Sequence, residues 1–206
     1  MSCPTQRHEH VTPFFQEYTQ ALQLALVSVE QGALEQASAI LVELYRRGGK
    51  LLVCGNGGSA AISNHWLCDH MKGVQTDTGL APRVISLSAN LEMITAIAND
   101  ISYDEVFAYQ LATLANPRDV LVTVSASGDS ENIVRAIQWA RKHEVSTIAL
   151  TGFSGGRSAQ FADVNIHVDG SNYGVIEDAH QAIMHMLAQF IRQWHMTPEI
   201  ITQRKF

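Results

Sequence analysis

The spacing of hydrophobic and polar positions differs before and after residue 50 of this chain. Before residue 50, apolar residues recur every three or four positions through two stretches, which stop at Gly32 and at Gly48–Gly49. This period predicts two amphipathic helices within residues 13–48. Such a pair either covers one face of a sheet or packs against another subunit. Residues 1–12 are polar, and we expect them to be mobile.

From Lys50 onward, short apolar runs alternate with helix-like stretches. The runs are KLLVCG from Lys50, RVISLS from Arg83, DVLVTVS from Asp119, STIALTG from Ser146 and DVNIHVD from Asp163. Apolar strands separated by helices are typical of a parallel sheet that is covered on both faces. Right-handed crossovers then predict a doubly wound α/β fold, with five strands in the flavodoxin-like order 2-1-3-4-5. We predict a single domain over 1–206, with its α/β core in 50–194 and a C-terminal tail in 195–206.

The composition supports a folded domain and argues against several kinds of partner. The 206 residues are 46% hydrophobic and 17% charged, which is enough apolar material for a full core. A net charge of −6 without a long basic run argues against direct binding to nucleic acid. No apolar run reaches the roughly 18 residues of a membrane span. Three cysteines without paired spacing fit a reducing compartment, so we expect a cytoplasmic protein.

Two of the predicted strand-to-helix connections are rich in small and hydroxyl residues. The first strand ends in Gly55-Asn56-Gly57-Gly58-Ser59, and the third ends in Ser125-Ala126-Ser127-Gly128-Asp129-Ser130. At such positions backbone N–H groups and the helix dipole attract anions, and hydroxyl groups add hydrogen bonds. Strands 1 and 3 are neighbours in the predicted order, so both loops meet at the switch point where such folds bind ligands. We therefore favour a ligand site over two ordinary serine-capped turns.

The ligand of this crevice is predicted to carry one phosphate monoester. The segment GNGGSA formally fits the G-x-G-x-x-A dinucleotide fingerprint, but no acidic residue follows the second strand, which ends around Ser86–Ser88. A P-loop is excluded because no Gly-Lys-Ser/Thr follows the turn. Neither loop contains a lysine or an arginine. This favours a single phosphate, held by hydroxyl and N–H groups, over a triphosphate.

Four segments of the chain resemble the sugar isomerase (SIS) domain family, and most of all its phosphoheptose isomerase branch. They are CGNGGSAAISNHW, ITAIANDISYDEVFAYQL, RDVLVTVSASGDSENIVRAI and STIALTGFSGG. The resemblance runs from about residue 15 to about residue 194. It implies a homotetramer that converts sedoheptulose 7-phosphate into D-glycero-D-manno-heptose 7-phosphate for lipopolysaccharide or capsule sugars.

The resemblance also implies which residues form the site. The implied substrate contacts are Asn56, Gly57, Ser59, Asn99, Asp100, Ser125, Ala126, Ser127, Ser130 and Glu177. Members of the branch place a His-x-x-x-Glu pair after the first loop and a Gln-x7-His pair on the last helix, and some bind zinc through these four residues. The matching positions are His65, Asp69, Glu177 and His185. The implied cofactor is therefore zinc or another divalent metal.

Helical geometry is compatible with one site at these four positions. His65 and Asp69 are four residues apart, so they share a helix face. Glu177 and His185 are eight apart, which places them about 80° from each other around a helix. Two imidazoles and two carboxylates suit zinc.

Moving a proton between C1 and C2 through an enediol needs a base and an acid. We assign Asp69 as the candidate base and His185 as its acid–base partner. A metal at the four positions would instead polarise the carbonyl and hydroxyl oxygens.

Three positions differ from the family pattern. Asp69 replaces a glutamate and shortens the reach by one methylene. Glu177 stands where many members have glutamine, and it adds a negative charge. Gly73 stands where members of the family often have an arginine. Lys72, beside it, is an alternative cation, but its ammonium lacks the planar, forked geometry of a guanidinium. We interpret His180 as a neighbouring surface or interface residue.

Three functions are compatible with these features. The first is a metal-assisted sugar-phosphate isomerase. The second is a non-catalytic phosphosugar-binding SIS protein with a protein partner such as a replication initiator, a branch that lacks the acid after the first histidine and the histidine on the last helix. The third is a sugar-phosphate sensor attached to a regulator, and the chain contains no segment typical of DNA binding. Since Asp69 and His185 are both present, we favour the isomerase.

Overall fold

A five-stranded parallel sheet forms the centre of the computed structural model, which describes residues 3–206. Its strands are Lys50–Gly55 (β1), Arg83–Ser86 (β2), Val120–Ser125 (β3), Ser146–Thr151 (β4) and Val164–His167 (β5). They lie in the order β2-β1-β3-β4-β5, and every neighbouring pair is parallel. The predicted doubly wound sheet is confirmed.

Helices connect the strands and cover both faces of the sheet. They are α1 (Val11–Val27), α2 (Gln31–Arg46), α3 (Gly58–Cys68), α4 (Leu91–Asp100), α5 (Val106–Leu114), α6 (Glu131–Lys142), α7 (Gly156–Phe161), α8 (Tyr173–His195) and α9 (Pro198–Ile201). A π-helical turn, Asp69–Val74, continues α3, and a 3-10 turn, Tyr103–Glu105, precedes α5. Over the described residues, no helix has the combination of length and apolar character that crossing a membrane requires.

Two apolar cores form because successive residues of a strand point to opposite faces of the sheet. On β1, Leu51 and Val53 pack with residues of α1, α2, α3 and α8. Leu52 and Cys54 of the same strand pack with residues of α4, α5 and α6 on the other face. The helices that follow β1 and β3 therefore lie on opposite faces. This arrangement opens the crevice between those two strands, where the two serine-containing loops meet.

The two N-terminal helices differ in what they cover. Leu41 and Leu44 of α2 are fully buried in the core, so α2 covers one face of the sheet. Helix α1 buries only Ala21 and Ala25, and much of its apolar surface, including Val27, is exposed.

The first two residues of the predicted mobile segment 1–12 lie outside the described residues. The mobility of this segment stays a prediction.

Candidate active site

The two predicted ligand loops line a single cavity, here called the serine cavity. It has a volume of about 150 Å³, and its lining residues are Asn56, Ser59, Val124, Ser125, Ala126, Ser127, Ser130, Tyr173 and Glu177. Ser59 and Ser125 are buried, whereas Ser127 and Ser130 are half-buried. The cavity lies at the carboxyl ends of β1 and β3, the switch point of the fold. The structure thus brings the predicted serines together with Glu177.

Glycine residues allow the β3 loop to lie against the loop that follows β4. Gly128 has φ +64°, and a Cβ at this position would overlap the carbonyl oxygen of Gly155. The Gly128 N–H donates to the Ser125 carbonyl at 3.0 Å, and the Ser158 N–H donates to the Gly128 carbonyl at 2.8 Å. The Arg157 guanidinium adds a hydrogen bond to the carboxylate of Asp129 at 2.6 Å. The β3 loop is therefore fixed from outside the cavity.

The side chain of Asn56 is engaged by other protein groups. Its amide and that of Asn132 exchange two hydrogen bonds of 2.9 and 3.0 Å, and the Tyr103 hydroxyl donates to the Asn56 oxygen at 2.8 Å. Asn132 is 2% exposed. This pair joins the turn after β1 to the start of α6, so Asn132 positions the serine cavity. Our sequence reasoning missed Asn132 because no periodicity marks a polar residue that points inward from the first turn of a helix.

Asn99 and Asp100 are not among the residues that line the serine cavity. Both are exposed in the last turn of α4, where the Asn99 amide donates to the Asp100 carboxylate at 2.8 Å. Their predicted contact with substrate stays a prediction. Gly57 does adjoin the cavity: it precedes α3 with φ +54° and allows the tight turn between Asn56 and Ser59.

A second cluster consists of His65, Asp69 and His185, here called the His–Asp–His group. The two oxygens of Asp69 contact the two imidazoles, with Oδ1 3.2 Å from His65 Nε2 and Oδ2 2.6 Å from His185 Nδ1. One potential ligand atom from each residue lies within 4.8 Å of the other two. Asp69 thus bridges both histidines although it is one methylene shorter than glutamate. It is also the first residue of the π-helical turn, a feature that is frequent at functional sites.

Gln181 completes this cluster from α8. Its amide nitrogen lies 2.9 Å from His185 Nε2 and 3.3 Å from His65 Nδ1. Since an amide nitrogen only donates, both of these ring nitrogens accept. The opposite nitrogens, His185 Nδ1 and His65 Nε2, therefore carry the protons that point to Asp69. Gln181 was missed by our sequence reasoning, and its spacing of four residues before His185 is the signal that could have indicated it.

Glu177, the fourth predicted metal ligand, lies at the serine cavity and outside the His–Asp–His group. Its carboxylate approaches Gly58 so closely that a Cβ there would overlap it. Gly58 is the first residue of α3, whose partial positive charge favours an anion. Burial and then the nearby charge of Asp178 nevertheless raise the pKa of Glu177. Glu177 therefore adds a negative charge to the lining of the serine cavity.

The interpretation of His180 as a surface or interface residue was wrong. Its side chain is fully buried, and its Nε2–H donates to the carbonyl of Thr151 at 3.1 Å. Burial lowers the pKa of His180 to about 4. The prediction failed because α8 is buried over more of its circumference than a helix with one solvent face. His180 therefore belongs to the packing between α8 and β4.

Helices α3 and α8 each contribute a residue to both clusters. On α3, Ser59 lies at the serine cavity and His65 follows toward the second cluster. On α8, Glu177 lies at the serine cavity and His185 belongs to the His–Asp–His group. The step of eight positions from Glu177 to His185 corresponds to about 12 Å along a helix. The arrangement places hydroxyl groups at one position and titratable side chains at another.

The sequence matches a family of proteins that share this parallel α/β fold. The SIS domain family model matches residues 14–152. The chain belongs to the SIS domain family. Its relatives include the probable phosphoheptose isomerase of Thermoplasma volcanium, which is 36% identical over 87% of this chain and 91% of the relative. The phosphoheptose isomerase of Alteromonas mediterranea is 36% identical over 84% of this chain and 90% of its own length.

Solved structures show the same similarity. A phosphoheptose isomerase from Francisella tularensis superposes with a TM-score of 0.82 at 33% identity, covering 89% of this chain and 96% of that one. The phosphoheptose isomerase of Neisseria gonorrhoeae gives a TM-score of 0.79 at 32% identity, with 88% and 96% covered. The similarity therefore extends over nearly nine-tenths of this chain.

Proposed function

We propose that this protein is a phosphoheptose isomerase, which interconverts sedoheptulose 7-phosphate and D-glycero-D-manno-heptose 7-phosphate through an enediol. The observation that carries the proposal is the placement of a serine cavity and a His–Asp–His group along the same two helices. Relatives named phosphoheptose isomerase, at 36% identity over most of the chain, support the same activity.

The spacing of the two clusters suits the length of this substrate. An extended seven-carbon chain with its phosphate ester is on the order of 10 Å long, from standard bond lengths. The axial distance between Glu177 and His185 is about 12 Å. A phosphate bound in the serine cavity would therefore allow the other end of the sugar to reach the His–Asp–His group. That end carries C1 and C2, where the reaction takes place.

The chain's own groups account for binding and for the proton transfers. The hydroxyls of Ser125, Ser127 and Ser130, together with nearby backbone N–H groups, hold the phosphate. The Asp69 carboxylate removes a proton from C1, while His185 protonates the carbonyl oxygen at C2 to form the enediol. The hydroxyl at C1 then returns a proton to His185, and Asp69 delivers its proton to C2. The aldose forms with no net change in protons.

In a metal-bound form, His65, Asp69 and His185 would instead act as ligands of the implied divalent metal. Two imidazoles and one carboxylate, with positions left open for substrate, form a donor set that suits catalytic zinc. Such an ion would polarise the sugar oxygens at C1 and C2 when bound. Glu177 is not part of this donor set, so we propose three protein ligands in place of four.

We further propose a cytoplasmic homotetramer that supplies heptose for cell-envelope sugars. Large apolar side chains that are exposed on α1 and α8 support subunit packing: Phe15, Leu24, Val27, Phe190 and Trp194. Exposed apolar surface of this kind marks interaction sites. Light scattering of the purified protein would give about four times the chain's 22.6 kDa. A monomeric mass would contradict this part of the proposal.

Metal analysis combined with an isomerisation assay on sedoheptulose 7-phosphate tests the proposed function. We expect about one divalent ion per chain, loss of activity after chelation, and recovery when the ion is restored. If the metal-loaded protein binds the sugar phosphate without turnover, it is a non-catalytic phosphosugar-binding protein and the isomerase proposal is wrong.

A further inference from the structure

A second and larger cavity, here called the tail cavity, adjoins the His–Asp–His group. Its volume is about 590 Å³. The residues that line it are Cys68, Asp69, Lys72, Gly73, His185, Ala188, Gln189, Arg192, Lys205 and Phe206. Two of these, Asp69 and His185, are the proposed acid–base pair. The last two residues of the chain therefore share a cavity with the groups proposed to perform the chemistry.

Arg192 holds the end of the chain in this position. One guanidinium nitrogen donates to the Lys205 carbonyl at 3.1 Å, and the guanidinium carbon lies 4.7 Å from the centre of the Phe206 ring. Its other nitrogens donate to the Thr76 carbonyl and to Asp77, each at 3.1 Å. Arg192 is only 9% exposed. These contacts tie the tail to the segment that follows the π-helical turn.

Three cationic side chains, Lys72, Arg192 and Lys205, line the tail cavity together with one carboxylate, that of Asp69. Lys72 and Lys205 both line it with exposed side chains, and within residues 3–206 neither ammonium forms an ion pair with a carboxylate. The guanidinium of Arg192 is already engaged by the tail and by Asp77. The two ammonium groups are therefore the cations that remain available to a ligand. By contrast, no lysine or arginine lines the serine cavity.

We propose that the C-terminal residues form a wall of the active site, and that the Lys205 ammonium, together with Lys72, faces the oxygens of the reacting end of the sugar. This inference rests on the proposed function. As Asp69 removes the proton from C1, negative charge develops on the C2 oxygen until His185 protonates it, and a positioned cation stabilises such developing charge. Arg192 is then a positioning residue, which acts by holding Lys205 in place.

Replacement of Lys205 tests this role. Lys205 is exposed, so K205Q is expected to fold normally. We expect kcat to fall about tenfold, less than for loss of a buried oxyanion donor because water partly screens the site, with KM changing less. K205R restores most of the rate because it keeps the charge. The matched control, K142Q, removes a lysine that lines a different cavity and leaves the kinetics unchanged. If K205Q matches wild type, the proposal is overturned.

A double-mutant cycle tests the positioning role of Arg192. If Arg192 acts through Lys205, K205Q has little further effect on kcat in an R192Q background. If R192Q only weakens folding, the two losses add, which argues against the positioning role. Circular dichroism of each variant shows whether the compared proteins are folded.

Chemical labelling separates this inference from the proposed function because it does not require turnover. Limiting acetic anhydride labels exposed lysines, and mass spectrometry reports the labelling at Lys205 and Lys142. We expect sedoheptulose 7-phosphate to protect Lys205 but not Lys142. If the sugar phosphate protects Lys205 in a protein that does not isomerise it, the placement of Lys205 at the binding site is supported and the proposed isomerase activity is refuted. If the protein isomerises the sugar but Lys205 is not protected, only the placement of Lys205 at the active site is refuted.

Discussion

Asp69 is the residue at which the chain departs most visibly from its family pattern, and the structure shows how the shorter side chain is accommodated. Its carboxylate contacts both imidazoles, at 3.2 and 2.6 Å. Gln181 donates to the opposite nitrogens of the same two rings. The donors around Asp69 are therefore oriented before substrate binds, a condition that favours catalysis. A shorter acid does not by itself separate this chain from the isomerases.

The negative charge of Glu177 is expected to affect the binding of the sugar phosphate. Its charge lies where the phosphate dianion is proposed to bind, so E177Q should lower the KM for the sugar phosphate a few-fold near pH 8. Because the pKa of Glu177 is raised, this advantage should shrink as the pH falls and the glutamate becomes neutral. Steady-state kinetics from pH 5 to 8 measure the effect.

The matched control is Glu9→Gln, which removes an exposed carboxylate from the N-terminal segment and leaves KM unchanged. An E177Q protein with higher KM at every pH would show that the carboxylate itself binds the sugar. The electrostatic interpretation would then be wrong.

Among the structural elements, the β3 loop depends on the close approach of two glycine-containing connections. Gly128 has a positive φ and no room for a Cβ. G128A should therefore lower the free energy of unfolding by about 1–3 kcal/mol and raise KM, because the loop must move away from its bonded position. Denaturant unfolding and steady-state kinetics measure the two effects.

Gly79→Ala is the control for this substitution, because nothing lies within 4 Å of a Cβ at that position. It should leave both KM and stability close to those of wild type. If G128A binds the sugar phosphate as wild type does, the β3 loop does not hold the phosphate.

Periodicity explains which elements and site residues were predictable. The apolar runs identified all five strands of the described chain, and the hydroxyl-rich loops identified the serine cavity. The π-helical turn at Asp69 was not predictable, since it changes the helical period locally. The separation of Glu177 from the His–Asp–His group was also hidden, because spacing along α8 does not show which neighbour each turn faces. Those features depend on tertiary packing.

For the molecule as a whole, buried His180 predicts how stability depends on pH. Its pKa is about 4 in the folded protein, against about 6.5 in an unfolded chain. Between these values the unfolded state binds the additional proton, so the free energy of unfolding falls as the pH falls. One such group contributes a slope of up to about 1.4 kcal/mol per pH unit.

H180Q should reduce that slope by up to the same amount. Urea unfolding at several values between pH 4 and 7.5 measures it. The difference between the two proteins at pH 7.5, where the histidine is neutral in both states, gives the loss of packing alone. Parallel curves for wild type and H180Q would contradict the assignment of His180 as a group that is buried in its neutral form.

The isomerase activity can be followed on sedoheptulose 7-phosphate with the wild-type protein and with D69N, using NMR to identify the product. We predict that wild type forms heptose 7-phosphate. D69N should remain folded and bind the sugar phosphate, but its rate should be lower by at least about a hundredfold, since proton transfer loses its base. If wild type binds the sugar phosphate without forming heptose 7-phosphate, the protein is not this isomerase. If D69N keeps the wild-type rate, Asp69 does not take part in the reaction.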